Sequence, residues 1–150
     1  SFGNIENNFV FNYLDFLIYC DAENSNDKVI KNFKFTQRSS VEHFYAQQIE
    51  GERDKLDHEN LHRFGNLCLI SSSKNSSIGN RLPSAKRDYF MPEIRKGKID
   101  TLKLYLMIQM LEEKNVWKKE QILDHEKKML DLFESDYKDF CEMCIGESIQ

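Results

Sequence analysis

The sequence predicts an α+β fold, a mostly helical domain enclosing a small strand–strand–helix unit, and three observations carry that prediction. Apolar residues recur every three to four positions at both ends of the chain: Ile5, Phe9, Tyr13 and Phe16/Leu17 first, then Ile122, Met129, Phe133, Tyr137 and Phe140. That spacing lays them along one helix face. Residues 32–45 switch instead to period-two alternation rich in aromatic side chains, the signature of a strand with one face covered. A second apolar run, Asn66 to Ile70, leads into the Ser/Lys/Asn-rich stretch Ser71–Asn80, which can open a helix.

Each element follows in order. A helix is expected from Ile5 to about Cys20, broken by the loop Asn24–Asp27. Two short strands should flank a turn at Thr36–Ser40. Residues 47–60 are almost wholly polar and contain Gly51, which predicts an exposed insertion. Asn66–Ile70 reads as the return strand and Asn75–Asn80 as the start of a short helix. Pro83 suits the first turn of the next helix, which runs to about Ile94 and ends at Arg95–Lys98. Asp100 is placed to cap an apolar helix bearing Leu102, Leu106, Met110 and Leu111, and a last helix runs from about Trp117 to Cys144. The central unit spans about residues 33–90, the helical wrapper residues 5–21 and 101–144, and the 150 residues make one domain.

The net charge of −4 conceals an asymmetry. Residues 28–103 hold 15 Lys/Arg against 9 Asp/Glu, whereas residues 1–27 hold five acids and no base, and residues 104–150 hold 11 acids against 6 bases. The basic excess falls on the central unit, where a phosphate backbone would be met. No apolar run approaches the roughly 18 residues of a membrane span. No basic segment precedes an apolar one at the N-terminus, which predicts the absence of a secretion signal. Beginning at Ser1 without Met, the chain reads as a fragment of something longer. The cysteines Cys20, Cys68, Cys141 and Cys144 read as reduced thiols. Cys141 and Cys144 form a lone C-x-x-C whose residues fit the buried side of a helix better than a four-ligand zinc site.

The chemistry-bearing residues lie in the central unit. His43 closes the first strand and can take a proton from water near neutral pH. Glu42 beside it points to the opposite strand face, so both reach one site only where the strand ends or bends. Asn75 could add a second oxygen donor from the helix. Two such donors with waters and a substrate phosphate suit Mg²⁺ or Mn²⁺. Each has a plainer reading: a surface charge pair for Glu42-His43, turn chemistry for Asn66 after Gly65, a helix N-cap for Asn75. Arg38, Arg63, Lys74, Arg81, Lys86 and Arg87 are candidate nucleic-acid contacts to phosphate.

Three phrases decide between these readings: Arg38-Ser39-Ser40-Val41-Glu42-His43, His62-Arg63-Phe64-Gly65-Asn66-Leu67, and Asn75-Ser76-Ser77-Ile78-Gly79-Asn80 with Lys86 after it. The order His, Asn, Asn along strand, loop, strand and helix resembles the HNH, or His-Me (ββα-metal), finger nucleases. The phrases resemble the C-terminal nuclease domain of GmrSD-type bacterial restriction endonucleases, across residues 38–90. The resemblance implies that His43 is the general base, that Glu42 and Asn75 hold the metal, and that Asn66 holds the histidine in place without touching substrate. It also implies an N-terminal NTP-using domain in the full-length protein, modified phage DNA as target and a bacterial cytoplasmic location. One departure stands out: the family carries proline shortly after the base, and here Ala46 lacks its fixed φ. Among other histidines, Asp57-His58 imitates the pair from a polar loop, His62 is expected to pack or hydrogen-bond near the site, and His125 is expected at the surface.

The expected function is therefore a metal-dependent DNA endonuclease domain of a restriction, anti-phage defence protein. The alternative is a catalytically inactive DNA-binding or regulatory domain that keeps the finger fold. A helical protein-interaction module would account for the acidic flanks but not for the central motifs.

Overall fold

The computed structural model describes residues 4–49 and 55–149. Helix α1 spans Asn4–Cys20 and α2 Lys28–Lys31; strand β1, Ser40–His43, follows. Helix α3 (His58–Leu61) leads through a 3-10 turn, Phe64–Asn66, into β2 (Leu67–Ile70). Helices α4 (Ser72–Ile78), α5 (Pro83–Arg95), α6 (Leu102–Lys114) and α7 (Lys119–Ile149) complete the chain. The α+β expectation holds: a two-stranded antiparallel sheet sits among helices, with Ser40 opposite Ile70, Glu42 opposite Cys68 and His43 opposite Leu67. Helix α4 follows β2 directly, whereas α3 and the 3-10 turn lie between the two strands.

Residues 33–39 form no strand, although they alternate. β2 offers four residues, and these are consumed by Ser40–His43, leaving Phe33 and Phe35 without a partner edge. Their rings instead meet edge to face, and Phe35 meets Tyr19 likewise. The segment expected as an exposed insertion is anchored at both described ends. Ile49 is buried, and Asp57 caps α3 by accepting the Asn60 N–H, with Asn60 and Leu61 buried behind it. Gly51 lies outside the described residues.

The buried stripe of α1 is Phe11, Leu14, Leu17 and Ile18, rotated from the expected one, while Phe9, Phe16 and Cys20 face outward. The helix is squeezed between α6 and α7, which selects this face. Helix α6 is the most deeply buried, with Leu102, Leu104, Met107 and Ile108 at its centre. Its N-cap position is Thr101 rather than Asp100. The Asp100 carboxylate turns back to accept the Ser71 N–H and the Lys74 ammonium, tying α4 to the start of α6. Pro83 opens α5 as expected. Helix α7 buries Ile122 and Met129, meets α1 through Tyr13 at Phe133 and Asp136, and then runs on with Tyr137, Phe140 and Cys144 exposed. His125, expected at the surface, is buried against Trp117. No described helix is long and apolar enough to cross a membrane.

Candidate active site

Asn66 is the fixed point of the site. It ends the 3-10 turn before β2 and is fully buried. Its carboxamide oxygen accepts the Tyr45 N–H at 2.8 Å and the Trp117 indole N–H at 3.1 Å. Its nitrogen donates to the carbonyls of Tyr45 at 3.1 Å and Leu61 at 2.9 Å. The full capacity of the side chain is therefore spent on structure. The Asn66 carbonyl also accepts the Phe44 N–H at 2.9 Å, so both residues that follow His43 are pinned to it. Gly65 belongs here because α7 crosses the turn: a Cβ would stand 2.1 Å from the Ile122 carbonyl oxygen.

His43 is the last residue of β1 and is half-buried. Its Nε2 lies 3.0 Å from His62 Nδ1 and 3.2 Å from the Gln47 amide nitrogen. Burial, helped by His62 and the Lys86 charge, lowers its pKa from 6.5 to about 4. The ring is therefore neutral near pH 7, and Nε2 holds its lone pair when the Gln47 amide donates to it. His58 packs edge-on against His62 with ring centres 4.4 Å apart, so the Asp57-His58 pair belongs to α3 and not to a loose loop.

Glu42, one residue earlier, is buried and paired with the ammonium of Lys86, which also donates to the His43 carbonyl. Burial raises the Glu42 pKa, and the charge and hydrogen bond of Lys86 pull against that rise. β1 ends at His43, so the two neighbours, which alternate faces within a strand, both border one cavity. That cavity, about 350 Å³, is lined by Glu42, His43, Ala46, Gln47, Asn75 and Asn80 among others. Asn75 sits inside α4 rather than at its N-cap, and its amide nitrogen donates to Ser40 Oγ at the far end of β1.

The donor chemistry around this cavity fits a hard divalent cation. Glu42 brings a carboxylate and Asn75 an amide oxygen, the atom not used in its bond to Ser40. Among the described residues no group of three or more His, Cys, Asp or Glu side chains is arranged for a metal, so an ion here would keep much of its water. Lys86 already neutralises Glu42, and a cation would share or displace that partner.

The six basic candidates divide sharply. Arg63 pairs with Glu126 and Glu59, Lys74 with Glu93 and Asp100, Lys86 with Glu42, and Arg87 with Asp88 and Glu112. Burial works against the Lys74 charge, but its bonds to Asp100 and Glu93 outweigh it and raise the pKa. Arg81 lies over the Tyr89 ring, and the Nε of Arg38 is buried without a partner among the described residues. Sequence reasoning did not find the site roles of Gln47, Ser40 and Trp117. Nothing in their local spacing marks them, since each acts on a residue distant in the chain or across a turn.

No curated protein and no solved structure significantly matches the chain. The family model of the GmrSD restriction endonucleases, C-terminal domain, matches residues 2–132, which takes in α1, the paired strands and the first half of α7. With that match over most of its 150 residues, the chain belongs to the family of GmrSD restriction endonuclease C-terminal domains.

Proposed function

We propose that this restriction-endonuclease-related domain hydrolyses DNA phosphodiesters with a divalent metal, Mg²⁺ or Mn²⁺, at the cavity bordered by Glu42, His43 and Asn75. The observation that carries the reading is the meeting of an unprotonated imidazole with two oxygen donors on one cavity wall. His43 Nε2 accepts the proton of the attacking water, which takes the place of the Gln47 amide at that lone pair. Asn66 holds the backbone just after His43 and so fixes the ring's approach, while Gln47 and His62 orient its nitrogen. Glu42 and Asn75 would hold the cation, with Lys86 setting the carboxylate's position. When bound, the cation supplies positive charge against the charge that develops on phosphate and leaving oxygen. Arg38 and Arg81 are the backbone contacts whose charge is not committed to an ion pair among the described residues.

Modified phage DNA as the target, an N-terminal NTP-using partner domain and action in the bacterial cytoplasm belong to the same reading. The Lys86 ammonium on Glu42 favours a second reading, an inactive DNA-binding domain that retains the fold. Plasmid nicking separates them: Mg²⁺ or Mn²⁺ should support nicking, chelator should stop it, and His43→Ala should lose roughly 10² to 10⁴-fold in rate while remaining folded. Absent nicking by the wild-type domain would leave the second reading standing, and chelator-insensitive nicking would remove the metal from the first.

A further inference from the structure

A second cavity, about 420 Å³, opens on the other side of the β1–α4 corner, between residues 32–38 and the connection from α5 to α6. Five cations line it: Lys34, Arg38, Lys74, Lys96 and Lys98. The two carboxylates in its wall, Glu93 and Asp100, are already engaged by Lys74, and Asp100 also accepts the Ser71 N–H. Neither is paired with the other four cations among the described residues. A protein with a net charge of −4 thus concentrates an excess of three positive charges on one concave wall. The Arg38 Nε, buried and without a partner among the described residues, is a hydrogen-bond donor that an anion entering the cavity would satisfy. Gly97, at φ 76°, turns the chain between Lys96 and Lys98, so that both flank the same opening.

The placement relative to the first cavity gives the anion its identity. Lys74 and Asn75 are adjacent on α4; Lys74 borders the basic cavity and Asn75 the one beside His43. Arg38, two residues before β1, lines the basic cavity, and Ser40, the first residue of β1, accepts the amide N–H of Asn75, which lines the other. A duplex presents a phosphate about every 3.4 Å of its axis on each strand. A strand with one phosphate beside His43 therefore carries further phosphates across this corner. We infer that the Lys34–Arg38–Lys96–Lys98 cavity is a phosphate subsite for the polynucleotide backbone next to the bond cut in the His43 cavity. The inference rests on the proposed nuclease reading for its polynucleotide, and to Arg38 and Lys74, already candidate phosphate contacts in the sequence, it adds Lys34, Lys96 and Lys98 around one opening.

The test compares wild type with Lys96→Ala/Lys98→Ala and with Arg38→Gln, using a fluorescein-labelled duplex of about 20 base pairs at several salt concentrations in Ca²⁺. The paired lysine variant should bind several-fold to tenfold more weakly. Its slope of log K against log salt should shrink by about 0.9 for each lost phosphate contact. Arg38→Gln should weaken binding in the same sense, and in nicking with Mg²⁺ the loss should fall on KM rather than kcat. Both lysines are exposed, so circular dichroism melting should match wild type. Unchanged affinity and slope in both variants would overturn the subsite. Titration with inorganic phosphate, followed by amide NMR shifts at Gly97 and Lys98, distinguishes the sources: phosphate shifts with unaltered DNA binding in the variants would assign the cavity to a free anion and overturn the backbone reading. Wild type that binds DNA with the expected slopes but never nicks would sink the nuclease reading and keep the subsite. Wild type that binds no duplex would sink both.

Discussion

Trp117 donates its indole N–H to the side-chain oxygen of Asn66 at 3.1 Å, across 51 positions of sequence. The bond joins the helical wrapper to the residue that pins the backbone after His43. The Trp117 ring also covers Phe44 edge to face, and His125 lies against its other side. Helix α7 thus enters the site indirectly: Ile122 closes on Gly65, and the segment just before the helix presents Trp117 to Asn66. A pair of four-residue strands cannot bury enough surface to stand alone, and the surrounding helices supply both its core and the last hydrogen bond of Asn66.

Replacing Trp117 by Phe keeps most of the packing and deletes one donor. Asn66 retains its bonds to Tyr45 and Leu61, so stability should fall by only about 1 kcal/mol. If the bond positions the His43 loop, nicking kcat should drop several-fold with KM little changed. Asn66→Ala is harsher, since it strands the buried Tyr45 N–H; about 2–4 kcal/mol and most activity should be lost. A Trp117→Phe enzyme with wild-type kcat and merely lowered melting temperature would reduce the bond to a structural one.

The long helices were legible because their apolar spacing is strong, and Pro83 marked the start of α5 correctly, whereas the four-residue helices α2 and α3 are too short to carry such a pattern. Residues 33–39 misled because alternation reports only that one face could be covered, not that a partner edge exists. α1 misled because many of its residues are apolar all round, so the buried face was chosen by α6 and α7 and not by its own pattern. His125 looked exposed among Asp124, Glu126 and Lys127, yet the helix turns Asp124 and Lys127 outward, Glu126 towards Arg63 and His125 under Trp117. The site's order along the chain was readable, but the partners that hold it were not. Lys86 on Glu42 and Ser40 on Asn75 are contacts of tertiary structure, whereas His62, expected near the site from its phrase, does meet His43.

The Lys86–Glu42 pair makes a prediction of its own. Both groups are buried, so Lys86→Met leaves a buried carboxylate without its cation and should cost about 3–5 kcal/mol. Glu42→Gln combined with Lys86→Met removes both charges and should recover much of that stability without recovering nicking. Chemical denaturation of the two variants checks this; a double variant as unstable as Lys86→Met would mean that the lysine's bond to the His43 carbonyl dominates.

If Glu42 and Asn75 hold one hard cation, Glu42→Ala and Asn75→Ala should behave alike. Each should raise the Mg²⁺ concentration needed for half-maximal nicking, and excess Mg²⁺ or Mn²⁺ should restore part of the rate. His43→Ala should gain nothing from added metal, because it lacks a proton acceptor rather than a ligand. A metal titration of the three variants at fixed DNA concentration decides it; rescue of His43→Ala, or none for the other two, would reverse the assignment.

The last prediction concerns acid. Burial, reinforced by Lys103 and Lys128, holds the His125 pKa well below 6.5, and its Nε2 has no partner among the described residues. The unfolded chain therefore binds a proton at this residue below about pH 6.5 that the folded chain refuses. Its contribution to stability is fully present above pH 6.5 and is lost as pH falls below it. His43, lowered to about 4, acts in the same direction between pH 6.5 and 4. The two can be separated with His125→Leu, which keeps an apolar side chain under Trp117 and removes the titrating group. Wild type and variant should melt at similar temperatures at pH 7.5. By pH 5 the wild type should have lost up to about 2 kcal/mol relative to the variant, since each pH unit of differential protonation is worth about 1.4 kcal/mol. Melting curves at half-unit intervals read the difference directly, and parallel curves from pH 7.5 to 5 would show that His125 accepts its proton in the folded state, through an opening of the Trp117 cover.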